Sequence, residues 1–333
     1  MLCPAVRIMG MSMPLRSTRC KVAFEWIFLF AIIASPSPTR ADWQRDDTSI
    51  AWQADGRIVW QFSFDPAKGK PFFHPLRVGG SPTLTNFKPE DHPWHYGLWF
   101  SWKYINHANY WEEDRATGKA EGATRWAPPD IATKPDGSAT IRMQLSYVSP
   151  SNVVDLTESR EIRISAPATN GSYTIDWRAH FVAGTNGALL DRTPMPGEPD
   201  GRVNGGYAGL SLRMAGFPLA TGYISSTGPV NEFREDRARP AAPAVALNFM
   251  CAPKPASLAI LSDPANAGEN PPWYMIRSET MRFVCAAILA PGPRQLKPGE
   301  TMDLNYRILL RSEFIWAPEI LQSAQAEWLR VGR

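Results

Sequence analysis

The sequence predicts an all-β fold: a large antiparallel β-sandwich with a C-terminal helix. Apolar and polar residues alternate with a period of two in segments such as "TIRMQLSYV", "SYTIDWRAHFVA" and "TMDLNYRILL". Such alternation is typical of strands with one buried face. Clusters of Pro, Gly, Asn and Asp, such as "TPMPGEPDGRVNGG", separate these segments and favour turns. So many strands exceed a small immunoglobulin-like sandwich and indicate two broad sheets.

The candidate strands follow one another without a clear linker, so we predict a single domain over residues 42–333. Besides the three above, they are "GRIVWQFSF", "HYGLWFSWKYI", "DLTESREIRIS", "YAGLSLRMA", "SLAILSD" and "RFVCAAILA". Only the C-terminal "APEILQSAQAEWLRV" has helical spacing, with Pro318 suited to the first turn. Its apolar residues at that spacing are Ile320, Leu321, Ala324, Trp328 and Leu329.

Residues 1–41 differ from the rest and predict a secretory signal peptide. Arg16, Arg19 and Lys21 precede the apolar stretch "VAFEWIFLFAIIA", and the segment ends in small residues around Arg40. The apolar stretch is too short for a comfortable membrane span, and no second one follows. We therefore expect an exported protein, periplasmic or extracellular, without a stable membrane span once the leader is removed.

Charge argues against nucleic acid as a partner. The whole chain has 35 Lys and Arg against 32 Asp and Glu, a formal charge of +3. Five of those bases and one acid lie in residues 1–41, which leaves 30 bases against 31 acids. The apparent basicity therefore belongs to the predicted leader, and the electrostatic case for nucleic-acid binding disappears.

Two cysteines, Cys251 and Cys285, remain after residue 41. In an exported protein they could form a single disulfide. Both stand in apolar segments, "LNFMCAP" and "MRFVCAAIL", so two buried free thiols are the other interpretation. No CxxC motif and no Cys/His zinc spacing occurs in the sequence.

The segment from Glu90 to Asp114, "EDHPWHYGLWFSWKYINHANYWEED", concentrates the residues that could carry chemistry. It holds three of the five histidines and four of the thirteen tryptophans. An indole face can cover the apolar C–H face of a sugar, but a large β core also uses many indoles. The segment is therefore either an aromatic core strand or the lining of a site.

This segment resembles the PmoA-like family, which is named after a subunit of methane oxygenase. Members carry a similar "DHPHHxGLWF…VNGxxFW" block, where this chain has "DHPWHYGLWFSWKYINHANYW" followed by "GKAEG". "GGYAGLSLR" and "LNYRILL…AEWLR" are also similar, so the resemblance covers most of residues 42–333. It implies an exported bacterial protein of sugar catabolism. The family is similar in outline to galactose-mutarotase-like supersandwiches, which use His and a carboxylate as proton-transfer groups on a sugar.

His92 and His95 are the first candidate catalytic residues, because an imidazole can give and take protons near neutral pH. Pro93 favours a turn or a strand entry, so both rings can project from one rim of a sheet. His74 also precedes a proline and is expected at the same rim. No cofactor is expected, but His74, His92 and His95 with Asp91 could bind a divalent metal.

Glu112 and Glu113 are the second candidate catalytic pair, since a carboxylate beside an imidazole perturbs the pKa of both. Tyr207 and Arg213 lie six residues apart in "YAGLSLR", so both face the same side of a strand. The predicted substrate-binding residues are His74, Asp91, Trp94, Trp99, Trp102, Lys103, Trp111, Lys119, Glu121, Tyr207 and Arg213.

Three functions remain open on the sequence. The first is a lyase, hydrolase or isomerase that acts on a carbohydrate or modified sugar by His/carboxylate acid-base chemistry. The second is a non-catalytic glycan-binding protein, which needs the tryptophans but no proton-transfer group. The third is a metal-dependent oxygenase, as the family name suggests.

Overall fold

The computed structural model describes residues 41–216, 221–251 and 254–331. The predicted signal peptide therefore lies outside the described residues except for Ala41, which begins the first strand. Within the described ranges, neither of the two α-helices is long and apolar enough to cross a bilayer. That residues 42–333 form one domain stays a prediction.

The first half of the described chain contains strands β1 to β13. They are β1 Ala41–Arg45, β2 Ser49–Ala54, β3 Arg57–Ser63, β4 Phe72–Leu76, β5 Leu98–Ser101, β6 Tyr104–Ile105, β7 Ala108–Asn109, β8 Ala123–Trp126, β9 Asp130–Thr133, β10 Ala139–Val148, β11 Val154–Ile164, β12 Tyr173–Ala183 and β13 Ala188–Asp191. A short 3₁₀-helix, Pro66–Lys68, precedes β4.

The second half contains ten more strands and both helices. They are β14 Gly209–Met214, β15 Thr221–Ser225, β16 Gly228–Pro229, β17 Arg237–Ala238, β18 Ala244–Phe249, β19 Ala256–Ser262, α1 Pro264–Ala267, β20 Trp273–Arg277, β21 Arg282–Ala286, β22 Arg294–Leu296, β23 Thr301–Ser312 and α2 Pro318–Val331.

Two large antiparallel sheets and one small sheet result. The first sheet has the order β1-β2-β3-β4-β5-β14-β21-β20-β17. The second has the order β16-β15-β18-β19-β23-β12-β11-β10-β8, and β9 also pairs with β10. A four-stranded sheet, β22-β13-β6-β7, is the third. The predicted all-β architecture of broad antiparallel sheets is confirmed.

The main core lies between the two large sheets. Phe73 and Phe100 of the first sheet contact Trp177 and Phe181 of the second, with ring centres 6.5 Å and 5.5 Å apart. All four side chains are buried, and each such aromatic contributes about 2 kcal/mol by leaving water. In strands such as β10 and β12, the alternation seen in the sequence therefore marks one buried face.

Helix α2 covers the outer face of the second sheet, and the predicted C-terminal helix is confirmed. Leu321 and Trp328 are buried at helical spacing. They pack on a surface that includes Ala244, Ala246 and Ala259, whose small side chains let the helix approach closely. No such helix from the described part of the chain covers the outer face of the first sheet, which carries the residues described next.

Candidate functional site

An aromatic cluster, which we call the outer cluster, lies on the face of the first sheet that points away from the second. Its buried members are Phe72, Tyr96, Trp99, Trp111, Tyr207, Tyr274, Ile276, Met281, Phe283, Cys285 and Ala287. Strand β14 shows the division of faces, since Leu210 and Leu212 join the main core whereas Arg213 points to the outer face.

A cavity of about 120 Å³ opens in this cluster. We call it the site cavity. It is lined by His92, Trp94, His95, Trp111, Glu112, Asn204, Tyr207, Arg237, Tyr274, Ile276, Met281 and Phe283. Its size is below the roughly 300–1,000 Å³ of a typical small-molecule pocket. It therefore suits one small ring or one end of a larger ligand.

His92 and His95 come together through two successive turns around Pro93. The His92 backbone N–H donates to Pro89 O, and the His95 backbone N–H donates to His92 O, both at 3.0 Å. The two imidazoles stack with centres 4.7 Å apart, and His95 also stacks on Phe283 at 5.0 Å. The structure thus brings the two predicted catalytic histidines together at the site cavity.

Different groups face the Nδ1 atoms of these rings. Nδ1 of His92 lies 3.0 Å from a carboxylate oxygen of Asp91, within ion-pair distance. Nδ1 of His95 lies 3.4 Å from Nη1 of Arg213. Asp91 itself accepts two hydrogen bonds from Nη2 of Arg213, at 3.0 Å and 2.9 Å.

Both imidazoles are held in the neutral form. Burial, followed by the charges of His92 and Arg213, holds the pKa of His95 well below its usual value of 6.5. Burial also lowers the pKa of His92, although the Asp91 carboxylate opposes that shift. At neutral pH each ring therefore has one N–H and one free lone pair.

Glu112 reaches the site cavity and is held there by three donors. It accepts hydrogen bonds from the Lys103 ammonium, from Asn109 Nδ2 at 2.8 Å and from the Tyr207 hydroxyl at 2.5 Å. Burial alone would raise its pKa, but the Lys103 charge and these hydrogen bonds lower the pKa below the usual value. Burial, then Glu112, raises the pKa of Tyr207 well above 10, so this phenol stays protonated.

Glu113 lies apart from the site cavity, although it follows Glu112 directly. Its carboxylate is 2.7 Å from Lys70 Nζ and 3.1 Å from Lys88 Nζ, and it also accepts from the Tyr96 hydroxyl. Lys70 and Glu113 are both buried. The expectation that Glu113 is catalytic does not fit this position, because its oxygens face a buried ion-pair network.

His74 does not join His92 and His95. Its Nδ1 lies 2.9 Å from Thr85 Oγ1, and its ring stacks on Phe87. Burial, with a smaller contribution from Arg77, lowers its pKa to about 4. The predicted three-histidine ligand set is therefore not assembled, and the described residues contain no cluster of three or more metal-ligating side chains.

The tryptophans divide between the two faces of the first sheet. Trp94 and Trp111 line the site cavity, and Trp99 supports it by contacting His95 at 5.2 Å between ring centres. Trp102 was expected to bind substrate but lies in the main core, 5.3 Å from Phe181. Trp102 follows Trp99 by three positions, which is an odd spacing, so the strand period of two puts the two rings on opposite faces.

Two further predicted binding residues lie away from the cavity. Lys119 is exposed, and its side chain forms no hydrogen bond or ion pair with the other described residues. Glu121 accepts a hydrogen bond from the Asn109 backbone N–H at 2.9 Å and so supports the turn that carries Asn109. Both positions indicate structural or solvent-exposed roles rather than ligand contact.

Six residues of the cavity lining were not found from the sequence: Asn204, Arg237, Tyr274, Ile276, Met281 and Phe283. The segment "RFVCAAILA" was predicted as a strand, and alternation along it puts Phe283 and Val284 on different faces of the sheet. Its partner strand β20, "WYMIR", gives no clear alternation because four of its five residues are buried. A signal for these residues exists only once β20 and β21 are placed beside β14.

A wide groove of about 870 Å³ adjoins the site cavity, and Arg237 lines both. The groove runs along residues 225–240 and also includes Met195, Pro196 and Val203. Its charged lining residues are Glu232, Arg234, Glu235, Arg237 and Arg239. A ligand that is too long for the cavity can therefore continue into this groove.

A family model, described as a family of unknown function (DUF6807), matches residues 49–325. The chain belongs to this family. The DUF6807 match extends from β2 into α2, so it includes every residue of the site cavity. It is not a PmoA-like match, and that resemblance stays a prediction. No curated protein matches this DUF6807 chain.

Several solved structures resemble the DUF6807 chain weakly. An α-galactosidase from Lactobacillus brevis is 10% identical with a TM-score of 0.43, over 83% of this chain and 40% of that one. A galactose mutarotase related enzyme from Lactobacillus acidophilus is 7% identical with a TM-score of 0.40, over 82% and 98%. A GH36 α-galactosidase from Geobacillus stearothermophilus is 11% identical with a TM-score of 0.41, over 82% and 41%.

The DUF6807 chain thus spans about two fifths of the length of both α-galactosidases. These neighbours are carbohydrate-related enzymes at low identity. At these scores the likeness carries no argument about what the DUF6807 chain binds or does.

Proposed function

We propose that this protein is an enzyme that moves a proton on a sugar, with His92 as the proton acceptor and His95 as the proton donor. The observation that carries the proposal is the stacked pair of neutral imidazoles at an aromatic cavity, with a carboxylate at one Nδ1 and a guanidinium at the other. An exported sugar-catabolic protein of the PmoA-like type would fit this role.

The roles follow from what the Nδ1 atoms face. A carboxylate oxygen 3.0 Å from His92 favours a proton on that Nδ1, which leaves the lone pair on Nε2 free to accept a proton. A guanidinium can only donate, so Nδ1 of His95 carries the lone pair and its proton is on Nε2. The two rings therefore offer one acceptor and one donor at neutral pH.

The other polar groups of the cavity suit the orientation of a sugar. Tyr207 donates to Glu112 and its oxygen can accept a hydrogen bond from a substrate hydroxyl. Trp94 and Trp111 supply ring faces for the C–H face of a sugar. A cavity of about 120 Å³ fits one sugar ring better than a chain of rings.

Isomerase or lyase chemistry fits this site better than hydrolysis. Most glycoside hydrolases use two carboxylates that flank the scissile bond. Among the described residues that line the cavity, Glu112 is the only carboxylate, and three donors already hold it. The proton transfer is therefore assigned to the imidazoles, and Glu112 orients Tyr207.

The test uses sugars in heavy water. The full-length protein is incubated with a panel of monosaccharides and disaccharides, and NMR and mass spectrometry follow deuterium uptake at carbon, anomer exchange and product formation. We expect conversion of at least one sugar, and a loss of 10²-fold or more in His92→Asn and His95→Asn. Asparagine keeps a polar atom near Nδ1 but removes Nε2.

His180→Asn is the matched control, because His180 is exposed and pairs with Asp303 at 2.7 Å. It should keep full turnover. Full turnover in both cavity variants would contradict the assignment of the histidines. Sugar binding without any conversion, unchanged in both variants, would instead identify a glycan-binding protein. Turnover that chelators abolish and metal restores would favour the oxygenase alternative.

A further inference from the structure

Two arginines, Arg237 and Arg239, meet at Tyr274 where the site cavity joins the groove. Arg237 Nε donates to the Tyr274 hydroxyl at 3.1 Å, and the guanidinium carbon of Arg239 is 4.8 Å from the centre of the Tyr274 ring. Both arginines are partly buried and line the groove, and Arg237 also lines the cavity. Two positive charges are thus concentrated around one aromatic ring.

Neither charge has a carboxylate partner among the described residues. Arg237 donates to the Tyr274 hydroxyl and the backbone oxygen of Glu235. Arg239 donates to the backbone oxygens of Val203 and Gly205, both at 2.8 Å. Nε of Arg239 is buried without a hydrogen-bond partner. All these acceptors are neutral.

Among the described residues, the arginines with the most buried side chains, which include Arg213 and Arg160, are neutralised by carboxylates, whereas the partly buried Arg77, Arg282 and Arg311 have no ion pair. Arg213 pairs with Asp91 at 2.9 Å, and Arg160 pairs with Glu158 at 2.5 Å. Burial is the main cause that lowers the pKa of Arg239, and the nearby charge of Arg237 lowers it further. Glu232 and Glu235 line the same groove, but neither carboxylate is within ion-pair distance of Arg237 or Arg239. An unpaired guanidinium that is partly removed from water is unfavourable, and binding of an anion would relieve that cost.

We infer that Arg237 and Arg239 form a subsite for a negatively charged group of the sugar ligand, so that the enzyme selects anionic saccharides. This inference rests on the proposed function for the sugar itself. A guanidinium binds a carboxylate or sulfate through two parallel hydrogen bonds, which neutral sugars cannot offer. Since the cavity fits about one ring, the charged group lies at the end of the ring nearest Arg237 or on the next ring in the groove.

The experiment compares matched ligands on the full-length protein by calorimetry. The probes are disaccharides of uronic acids, their methyl esters, which keep the rings but lose the charge, and sulfated disaccharides. We expect the acid or the sulfated sugar to bind at least tenfold more tightly than its neutral counterpart. The difference should shrink as the salt concentration rises. The acid and sulfate arms distinguish the two sources of charge.

Arg237→Met and Arg239→Met should each weaken binding of the charged sugar at least tenfold and weaken binding of the ester much less. Arg234→Met is the matched control: Arg234 lines the groove, but Tyr274 has its hydrogen bond from Arg237 and its cation–π contact with Arg239. It should keep the preference for charge. Circular dichroism establishes that each variant is folded, and the comparison of acid with ester in the unmodified protein needs no variant.

Equal affinity for acid, sulfated and neutral sugars in the unmodified protein would overturn the anionic subsite and leave the proposed function intact. A preference for charge that persists in both Arg237→Met and Arg239→Met would also overturn it. If no sugar of any kind binds, the proposed function fails together with the inference that rests on it.

Discussion

His92 and His95 stack on each other, yet their Nδ1 atoms face groups of opposite charge. We predict that they are opposite tautomers: Nε2 of His92 and Nδ1 of His95 lack a proton. Nitrogen-15 NMR of the imidazoles distinguishes a protonated nitrogen from one with a lone pair, and His→Asn variants assign the signals. If both rings proved to be the same tautomer, the assignment of acceptor and donor would be wrong.

The pH dependence of turnover follows from the lowered pKa of His92. A proton acceptor must be neutral, so activity is present above its pKa and disappears as the pH falls through it. Because that pKa is below 6.5, we expect the midpoint of the acid-side decline in kcat/KM to lie below pH 6.5. Asp91 opposes the shift, so Asp91→Asn should move the decline further down. A decline centred above pH 6.5 would contradict this.

His74 makes a separate prediction about stability. Its pKa is about 4 in the folded protein, against about 6.5 in the unfolded chain, so between these values the unfolded state binds the extra proton. Its contribution to stability is therefore complete above pH 6.5 and is lost as the pH falls towards 4. A shift of this size corresponds to at most about 3 kcal/mol, and to less because the ring is partly exposed.

The measurement is urea unfolding at pH 7 and pH 4.5 for the unmodified protein and His74→Asn. Asparagine keeps a polar atom near Thr85 but does not titrate. We expect the variant to lose less free energy of unfolding between the two pH values than the unmodified protein. An identical loss in both proteins would show that His74 is not responsible.

The single residues of the site were only partly predictable. The chemistry of the motif gave His92, His95 and Glu112, because imidazoles and carboxylates are rare in such an aromatic segment. Glu112 and Glu113 are adjacent residues of the same type, so the sequence cannot show which of them faces the cavity. Both were therefore predicted to be catalytic, although their surroundings differ. Trp102 could have been excluded, since its spacing from Phe100 puts both rings on the inner face.

Between elements, Lys70 joins the segment before β4 to the segment after β7. Lys70 Nζ donates to Glu113 at 2.7 Å and to the Trp111 backbone oxygen at 2.9 Å. Loss of one partner of a buried ion pair leaves the other charge uncompensated, which costs about 3–5 kcal/mol. We expect Glu113→Leu to lower the free energy of unfolding by that amount.

The double variant Lys70→Met with Glu113→Leu removes both charges and should recover most of the loss. Lys88 is partly exposed, so water can solvate it, and Tyr96 can donate to the Lys68 backbone oxygen at 2.7 Å. Urea unfolding measures all three proteins. A single variant as stable as the unmodified protein would show that the pair is not a stabilising link.

Strands with one polar face were predicted from their alternation. Of the strands that are buried on both faces, β14, β19 and β21 were predicted, whereas β18 and β20 were missed. The patterns of β10, β12 and β23 alternate clearly, and the structure has those strands. Strand β20 is buried over most of its length and has no such pattern. In β11 the alternation is kept, but Glu158 and Arg160 occupy buried positions as an ion pair. Polarity alone would have placed both outside.

At the scale of the whole molecule, we predict that the two cysteines after residue 41 resist chemical modification. Cys251 and Cys285 are free and buried in different clusters, which agrees with the second of the two interpretations. Burial raises the pKa of Cys285 to about 12 and also raises that of Cys251. Iodoacetamide labelling followed by peptide mapping should modify neither thiol in the folded protein and both in urea. A disulfide-linked peptide would contradict this.

The overall architecture could be predicted from the number of alternating segments, whereas the order of the strands could not. Strand β14 lies between β5 and β21, which are separated from it by more than sixty residues on either side. Sequence patterns contain no information about such distant neighbours. The cavity therefore combines residues from 92 to 283 that only the assembled sheet brings together.

Alternation along β14 also separates two sets of residues. Leu210 and Leu212 pack in the main core, whereas Arg213 lies on the outer face and pairs with Asp91. Both sets are buried, since Ser211 and Arg213 are as inaccessible to water as Leu210 and Leu212. A substitution on either side of the strand therefore disturbs a packed cluster. In this strand, residues that pack in the main core and residues that lie on the outer face alternate along the sequence.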